Sequence, residues 1–480
     1  MDPGPDPTPP PEPPPEPTPT EPVISVDRLV VGGAALGHED SGRVALVRGA
    51  LPGETVRIRV LRERPRSVDA EVVEVIAASP DRVEPPCPEL ARGCGGCDLQ
   101  HAAPAAQRSL KAAIVSDALA RSVRAGRFDA VPVEVGPAAD PWGYRSTVRG
   151  GVDGGRFAFH RHHSDDLLAV ADCAVAADPV AEVIRDGRFP DGVDVTIRAG
   201  LRTGERLVIL DTGAAQDAVV PDGVRVIGGV ELSAGQRAWF HEEVAGVRLR
   251  ISARSFFQSG PSGAEALVDS VRRAVGTLGS SDRLADLYGG VGLFAAVLGA
   301  ERPIVVERSA ASVADARVNL ADRDATIVRS AVERWRPSPV NVVVADPARS
   351  GLGRDGVRAV AATGAGRVVL ISCDAAAMVR VFEISAAAAR LKACSSDPSR
   401  SVTSCAWSVV IMADRMLMGC ALDGKPSKCL RMSRCSEEFS VSSSRNSFRS
   451  FSSGSSPKIS SSAVSMNEER SARISMGMPR

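Results

Sequence analysis

The sequence predicts an α/β protein with an N-terminal β-barrel, a central α+β region and a C-terminal doubly wound sheet. Two patterns carry that reading. Residues 23–80 alternate apolar and polar side chains in short runs: Val23-Ile-Ser-Val, Arg43-Val-Ala-Leu-Val, Glu54-Thr-Val-Arg-Ile-Arg-Val-Leu and Asp69-Ala-Glu-Val-Val-Glu-Val-Ile. Gly32-Gly33, Gly49 and Pro52-Gly53 punctuate them, as a small barrel requires. From Leu284 to Ser372, apolar strands alternate with helices in short steps, which means a mostly parallel, doubly wound sheet.

The 480 residues allow two or three domains with sizeable cores. Apolar residues make up 44% and the formal net charge is zero, so bulk charge argues for no partner. Residues 1–22 hold 12 of the 34 prolines and almost nothing apolar, which reads as a disordered, extended tail. That tail has no basic start and no apolar core, so it is not a secretion signal. No apolar run approaches the ~20 residues needed to cross a bilayer. The expectation is a cytoplasmic chain whose thiols stay reduced, so that clustered cysteines mean metal or catalysis.

The barrel occupies 23–80. From Arg43 to Arg66 it carries seven arginines against two glutamates, several on one strand face. Such a stripe suits either bound phosphates or a solvated face. Residues 81–255 form the central region, with a cysteine segment, a helix over roughly 104–123 and apolar strands between Gly and Asp turns. Arg248–Phe257 reads as a strand and Ala264–Ala274 as a helix. The sheet domain spans 256–380, with strands Leu284–Tyr288, Pro303–Glu307, Ala325–Arg329, Val340–Ala345 and Arg367–Ser372. Helices follow Gly292, cover Ala310–Leu320 and lie near 355–363.

The first strand of that domain ends Asp286-Leu-Tyr-Gly-Gly-Val-Gly292, with glycines where the chain must turn tightly beside a ligand and enter a helix. Glu307 closes the next strand, a spacing that suits hydrogen bonds to ribose hydroxyls. The glycine spacing differs from the dinucleotide G-x-G-x-x-G, which favours an adenosyl ligand without a pyrophosphate, namely S-adenosylmethionine; a packing turn with a chance glutamate is the alternative. Asp346-Pro-Ala-Arg349-Ser-Gly351 makes an abrupt strand exit that presents a carboxylate and an arginine. The last strand ends at Ser372-Cys373-Asp374. A cysteine there is either a small core hydrophobe or a nucleophile at the carboxyl edge of the sheet. The company of the glycine loop, Glu307 and Asp346 at that edge favours the nucleophile.

Upstream, Cys87-Pro-Glu-Leu-Ala-Arg-Gly-Cys94-Gly-Gly-Cys97 holds a Cys-x2-Cys pair that suits zinc or an iron–sulfur cluster equally. His160, His162 and His163 lie near Cys173 without ligand spacing and read as a polar loop.

These strings together resemble the RNA 5-methyluridine methyltransferase family, which uses S-adenosylmethionine and often carries an N-terminal TRAM barrel of OB-like form. The resemblance rests on Phe256-Phe-Gln258, on Asp286-Leu-Tyr-Gly-Gly-Val-Gly-Leu-Phe294, on the Val-Glu closing strand two, on 346–351 and on 372–374. The segment Gly42–Glu54 is similar to the TRAM signature, and the likeness runs in order over about 23–380. It implies a Rossmann-like class I methyltransferase domain in which Gln258, Tyr288, Glu307 and Asp346 contact S-adenosylmethionine and Cys373 is the nucleophile. It also implies a [4Fe–4S] cluster on Cys87, Cys94, Cys97 and Cys173, with zinc as the runner-up; the first gap, of six residues, is one longer than the family spacing. The implied partner is tRNA or ribosomal RNA bound to a monomer, without a membrane.

Residues 381–480 break the resemblance. The family continues with a helix and two strands ending in Thr-x-His-Val-Glu, whose glutamate is the general base; no such string, and no histidine, follows Cys373. Glu383 comes too early, and Glu437, Glu438, Glu468 and Glu469 lie among serines. The last hundred residues hold 26 serines, half the cysteines, 7 of 9 methionines and four lysines, against one lysine, Lys111, before them. A serine-rich disordered tail is the plain account. A frameshift near Arg380 is the sharper one. Read one base over, a GTC–AC junction at Val402-Thr403 yields a histidine codon. Codons compatible with valine, a variable position, cysteine, valine and valine follow, although the variable position then admits Leu, Met or Val rather than Glu. The sheet would thus lack its usual last strands. The resemblance implies S-adenosylmethionine-dependent methylation of C5 of a uridine in tRNA or ribosomal RNA through a Cys373 adduct at C6, for which the general base is missing. A catalytically inactive RNA-binding protein that keeps the barrel and cofactor pocket is the alternative. Resequencing codons 370–420 should reveal a missing or extra base; one unshifted frame retained in independent isolates would contradict the frameshift.

Overall fold

The protein is represented by a computed structural model, which describes residues 21–126, 133–136, 140–162, 164–393, 406–411 and 473–476. The proline-rich segment 1–20 and most of 394–480 lie outside the described residues, as do the four glutamates after Glu383 and Val402-Thr403.

Five strands, β1 (Val23–Leu29), β2 (Ala35–His38), β3 (Val44–Arg48), β4 (Thr55–Arg64) and β5 (Ser67–Ala77), close into a barrel in the order β1-β2-β3-β5-β4. Period-two patterning puts Ile24, Val26, Val47, Val56, Ile58 and Val68 inside. The arginine stripe meets acids on neighbouring strands. Arg57 faces Glu74 at 3.0 Å, Arg59 faces Glu71 at 2.6 Å, and Arg64 faces Asp69 at 2.6 Å. At these three positions the face is a ladder of cross-strand ion pairs between β4 and β5, so each arginine charge there is shared with an acid. Glu54, fully buried, receives Arg82 Nε at 2.5 Å and the Leu51 N–H at 2.8 Å, which ties the barrel to the chain leaving it.

After the barrel come α1 (Pro88–Ala91), α2 (Pro104–Arg124) and a short strand, β6 (Val133–Val135). The central sheet then forms from β7 (Thr147–Asp153), β8 (Arg156–His160) and β9 (Leu167–Ala169), followed by α3 (Asp178–Asp186) and β10 (Val195–Ala199), β11 (Arg206–Leu210) and β12 (Val224–Ile227). Its order is β12-β11-β10-β7-β8-β9, and Phe157, Ile184, Ile197 and Leu210 fill its core. A short helix α4 (Gly229–Ser233) leads to the hairpin β13 (Trp239–Val244) and β14 (Val247–Ser252). The strand anticipated over Arg248–Phe257 stops at Ser252. Beyond that point its backbone is captured by buried charges: Ser252 N–H by Asp315, and the Ser252, Ala253 and Ser255 carbonyls by Arg198.

The C-terminal sheet is preceded by α5 (Pro261–Val275). It contains β15 (Leu284–Leu287), α6 (Leu293–Val297), β16 (Ile304–Glu307), α7 (Ala310–Asn319), β17 (Thr326–Arg329), β18 (Val342–Ala345), α8 (Gly353–Ala362), β19 (Arg367–Ser372) and α9 (Ala375–Ala393). The strand order runs β17-β16-β15-β18-β19, all parallel. β15 and β18 are buried along their whole length, as apolar strands covered on both faces must be. Past β19 the sheet continues through β20 (Ala406–Ile411) and β21 (Arg473–Met476) to β6. The edge of β19 is therefore paired by a strand from the serine-rich region, not by a histidine-bearing Thr-x-His-Val-Glu string. Among the described residues, no helix is long and apolar enough to cross a membrane.

Candidate active site

Parallel pairing fixes where the polar residues of the C-terminal sheet can stand. Leu287 is level with Val306 on one side and Ala345 on the other, and Ala345 is level with Leu370. One step beyond that row come Tyr288, Glu307 and Asp346, with Cys373 further along the same edge. Four of the five residues assigned from sequence thus emerge together at the carboxyl ends of neighbouring strands. The fifth, Gln258, is buried in the segment between β14 and α5.

The glycine loop is shaped by close approach. A Cβ on Gly289 would lie 2.7 Å from Val305 Cγ1, and Gly292 has φ +87°. Tyr288 itself adopts φ 58°, a left-handed conformation uncommon for a bulky residue. Its hydroxyl donates to Glu333 Oε1 at 2.6 Å; burial and that carboxylate both push its pKa up. Gly290 N–H donates to Glu307 Oε2 at 3.1 Å and Ser309 N–H to Glu307 Oε1 at 2.6 Å. Each carboxylate oxygen keeps a further lone pair, so ribose hydroxyls can still donate to Glu307.

Asp286 lies beneath the loop, fully buried in an otherwise apolar strand. Its Oδ2 accepts the Ala295 N–H at 3.0 Å, while Oδ1 has no hydrogen-bond partner. Burial pushes its pKa up to about 7; the Ala295 N–H opposes the rise, and the nearby Asp346 and Glu307 charges add to it. A nucleoside with a sulfonium tail fits this donor set: a loop free of Cβ atoms, a strand-end carboxylate with spare lone pairs, and acidic groups near a site for positive charge.

Cys373 occupies the turn from β19 into α9 and is 8% exposed. Asp374 caps that helix, its Oδ1 accepting the Ala377 N–H at 2.7 Å. Glu383 sits over two turns into α9 and accepts the Ser122 hydroxyl of α2 at 2.8 Å. Glu383 thus joins α9 to α2.

The four upstream cysteines converge. Cys87, Cys94, Cys97 and Cys173 line one pocket with Gln100, Arg145 and Phe159. Burial pushes the Cys94 thiol up to about 11 and Cys97 up to about 12, and raises Cys173; their mutual repulsion adds to this, while Arg145 opposes it at Cys97 and Cys173. Among the described residues, no three His, Cys, Asp or Glu side chains are close enough together to grip a single ion. His160 and His162 lie at the end of β8 and just past it, and His163 is outside the described residues.

Sequence reasoning gave no role to Asp286, Glu333 or Arg145. An aspartate inside Leu-Ala-Asp-Leu was a visible signal for the first; the other two depend on contacts between distant segments.

The raised pKa of Asp286 has a defined sign. Folding favours its protonated form, so between the ordinary carboxyl range and about 7 the folded chain holds more protons than the unfolded one, and stability falls as pH rises. Asp286→Asn should leave thermal stability nearly unchanged at pH 5 and raise it at pH 8, measured by calorimetry on the ligand-free chain; equal effects at both pH values would contradict the assignment.

Comparison with known proteins places this geometry in a family. No family model matches the chain. An uncharacterized RNA methyltransferase of Streptomyces avermitilis is 34% identical over 392 residues, covering 74% of this chain and 89% of the relative. One from Streptomyces coelicolor is 35% identical over 390 residues, covering 74% and 84%. One from Corynebacterium glutamicum is 31% identical over 380 residues, covering 75% and 88%. Among solved structures, the Pyrococcus abyssi tRNA (uracil-54, C5)-methyltransferase in complex with S-adenosyl-L-homocysteine has the same fold. It superposes with a TM-score of 0.56 at 21% identity over 74% of this chain and 91% of that one. With two Streptomyces relatives at 34% and 35% identity over 74% of its length, the chain belongs to the RNA methyltransferase family.

Proposed function

We propose that the chain carries the site of an S-adenosylmethionine-dependent enzyme that methylates C5 of a uridine in tRNA or ribosomal RNA. The observation that carries this reading is the meeting of Cys373 with Tyr288, Glu307 and Asp346 at one edge of a parallel sheet. Uracil C5 is a weak nucleophile. Addition of the Cys373 thiolate to C6 forms an S–C6 bond and moves the ring π electrons toward O4, which makes C5 nucleophilic. S-adenosylmethionine, when bound, supplies an electrophilic methyl group. Loss of the C5 proton to a base then restores the double bond and expels the thiolate. The uridine must leave its stack to reach a cysteine that is 8% exposed. Gln258, Tyr288, Glu307 and Asp346 are assigned to the cofactor. The barrel is assigned to RNA as a TRAM module, through surfaces other than its ion-paired ladder.

Cys87, Cys94, Cys97 and Cys173 are assigned to a [4Fe–4S] cluster on the strength of their shared pocket. The chain is proposed to act as a cytoplasmic monomer. One observation favours a second reading, an inactive RNA-binding protein. Among the residues whose side chains are described, Glu383 is the one glutamate after Cys373, and it is bound to Ser122.

RNA containing 5-fluorouridine separates these readings, because fluorine at C5 cannot leave as a proton does. With S-adenosylmethionine present, the chain should form a covalent RNA adduct on the Cys373 peptide by mass spectrometry, and Cys373→Ala should abolish it. An adduct without turnover of ordinary RNA would mean that only the base is missing; no adduct would favour the RNA-binding reading. Anaerobic reconstitution with ferrous iron and sulfide should load about four irons per chain and give broad visible absorption, both lost in Cys97→Ala. Zinc retention without iron uptake would contradict the cluster.

A further inference from the structure

Outside the strand-end cluster, Asp315 on α7 is a fully buried carboxylate. Its Oδ1 accepts Arg250 Nε and the Ser252 hydroxyl, both at 2.8 Å. Its Oδ2 accepts the Ser252 N–H at 2.8 Å and the Ser255 hydroxyl at 2.6 Å. One turn on, Asn319 faces the same way, as i and i+4 residues do. Its Oδ1 accepts the Arg250 N–H at 2.8 Å, and its Nδ2 donates to the carbonyls of Arg250 at 3.0 Å and Val291 at 2.9 Å. Val291 belongs to the glycine loop, and Ser255 lies three residues before Gln258. From the opposite side Arg198, 4% exposed, donates to the Ser252, Ala253 and Ser255 carbonyls at 3.3, 3.2 and 2.8 Å. The segment 252–255 is held between a buried cation and a buried anion. Asp315 has both oxygens bonded, whereas Arg198 gives all three of these bonds from one nitrogen and its Nε has no partner; together they restrain the backbone they bond to.

We propose that Asp315 and Asn319 are positioning residues that set the Gln258 turn and the glycine loop in register, so that one face of α7 aligns two walls of the nucleoside site. The mechanism given above needs no such group, and the inference rests on the assignment of that site to S-adenosylmethionine. A packing role alone makes a different prediction. Ser252 and Ser255 both give a hydroxyl to the same carboxylate, but Ser252 ends β14, whereas Ser255 leads into Gln258.

Titration calorimetry with S-adenosylhomocysteine on the full chain, paired with thermal melts, distinguishes the two. Ser252→Ala and Ser255→Ala should lower the melting temperature alike. Only Ser255→Ala should weaken binding, by about tenfold, and Ser255→Thr should restore it. Unchanged affinity in Ser255→Ala, or equal weakening in Ser252→Ala, would overturn the proposal while leaving the cofactor site intact. An unmodified chain that takes up no S-adenosylhomocysteine would overturn the cofactor assignment and this inference with it.

Discussion

Parallel pairing of β16, β15, β18 and β19 is the constraint on which the rest depends. In a parallel sheet with right-handed crossovers every strand ends on the same edge, so residues distant in sequence become neighbours there. Between the ends the strands must be apolar, since helices cover both faces. Polar chemistry is therefore confined to the termini, where Tyr288, Glu307, Asp346 and Cys373 stand. Asp286 is the exception, a carboxylate inside the layer with one oxygen unpartnered, and its raised pKa reflects that position.

The parts around the sheet are joined by buried charge as well as by apolar packing. Glu54 with Arg82 secures the exit from the barrel. Asp315 with Arg198 secures the passage from the central hairpin into the segment that leads to Gln258. In each case one ionised group gathers several backbone donors or acceptors, which offsets the cost of removing it from water. The cysteine pocket differs: its thiols are buried together, and Arg145 is a cation near two of them. Burial holds the Cys94, Cys97 and Cys173 thiols in their neutral form, and Arg145 opposes this at Cys97 and Cys173.

Much of this was legible in the sequence, for physical reasons. The glycine loop, the carboxylate closing the second strand and the Asp-Pro exit are local patterns, and alternation of strand and helix implies the shared edge without any knowledge of contacts. The β19 ladder and the helix over 104–123 stand where apolar periodicity put them. What escaped was set by partners far along the chain. An arginine stripe on β4 could not reveal that β5 answers it with Glu71, Glu74 and Asp69 in register. Nothing in Arg248–Phe257 announces that Arg198 and Asp315 end the strand at Ser252. The polar face of α7 reads as an ordinary helix surface until the hairpin is laid on it.

The proposed function requires an adenosyl cofactor at the carboxyl edge of this sheet, within reach of Cys373. A crystal structure of the chain grown with S-adenosylhomocysteine tests it most directly. The ribose hydroxyls should lie on Glu307, the nucleoside against the Gly289–Gly292 loop, and the sulfur toward the turn that holds Cys373. Ligand density at any other surface, or a ligand whose ribose is remote from Glu307, would contradict it.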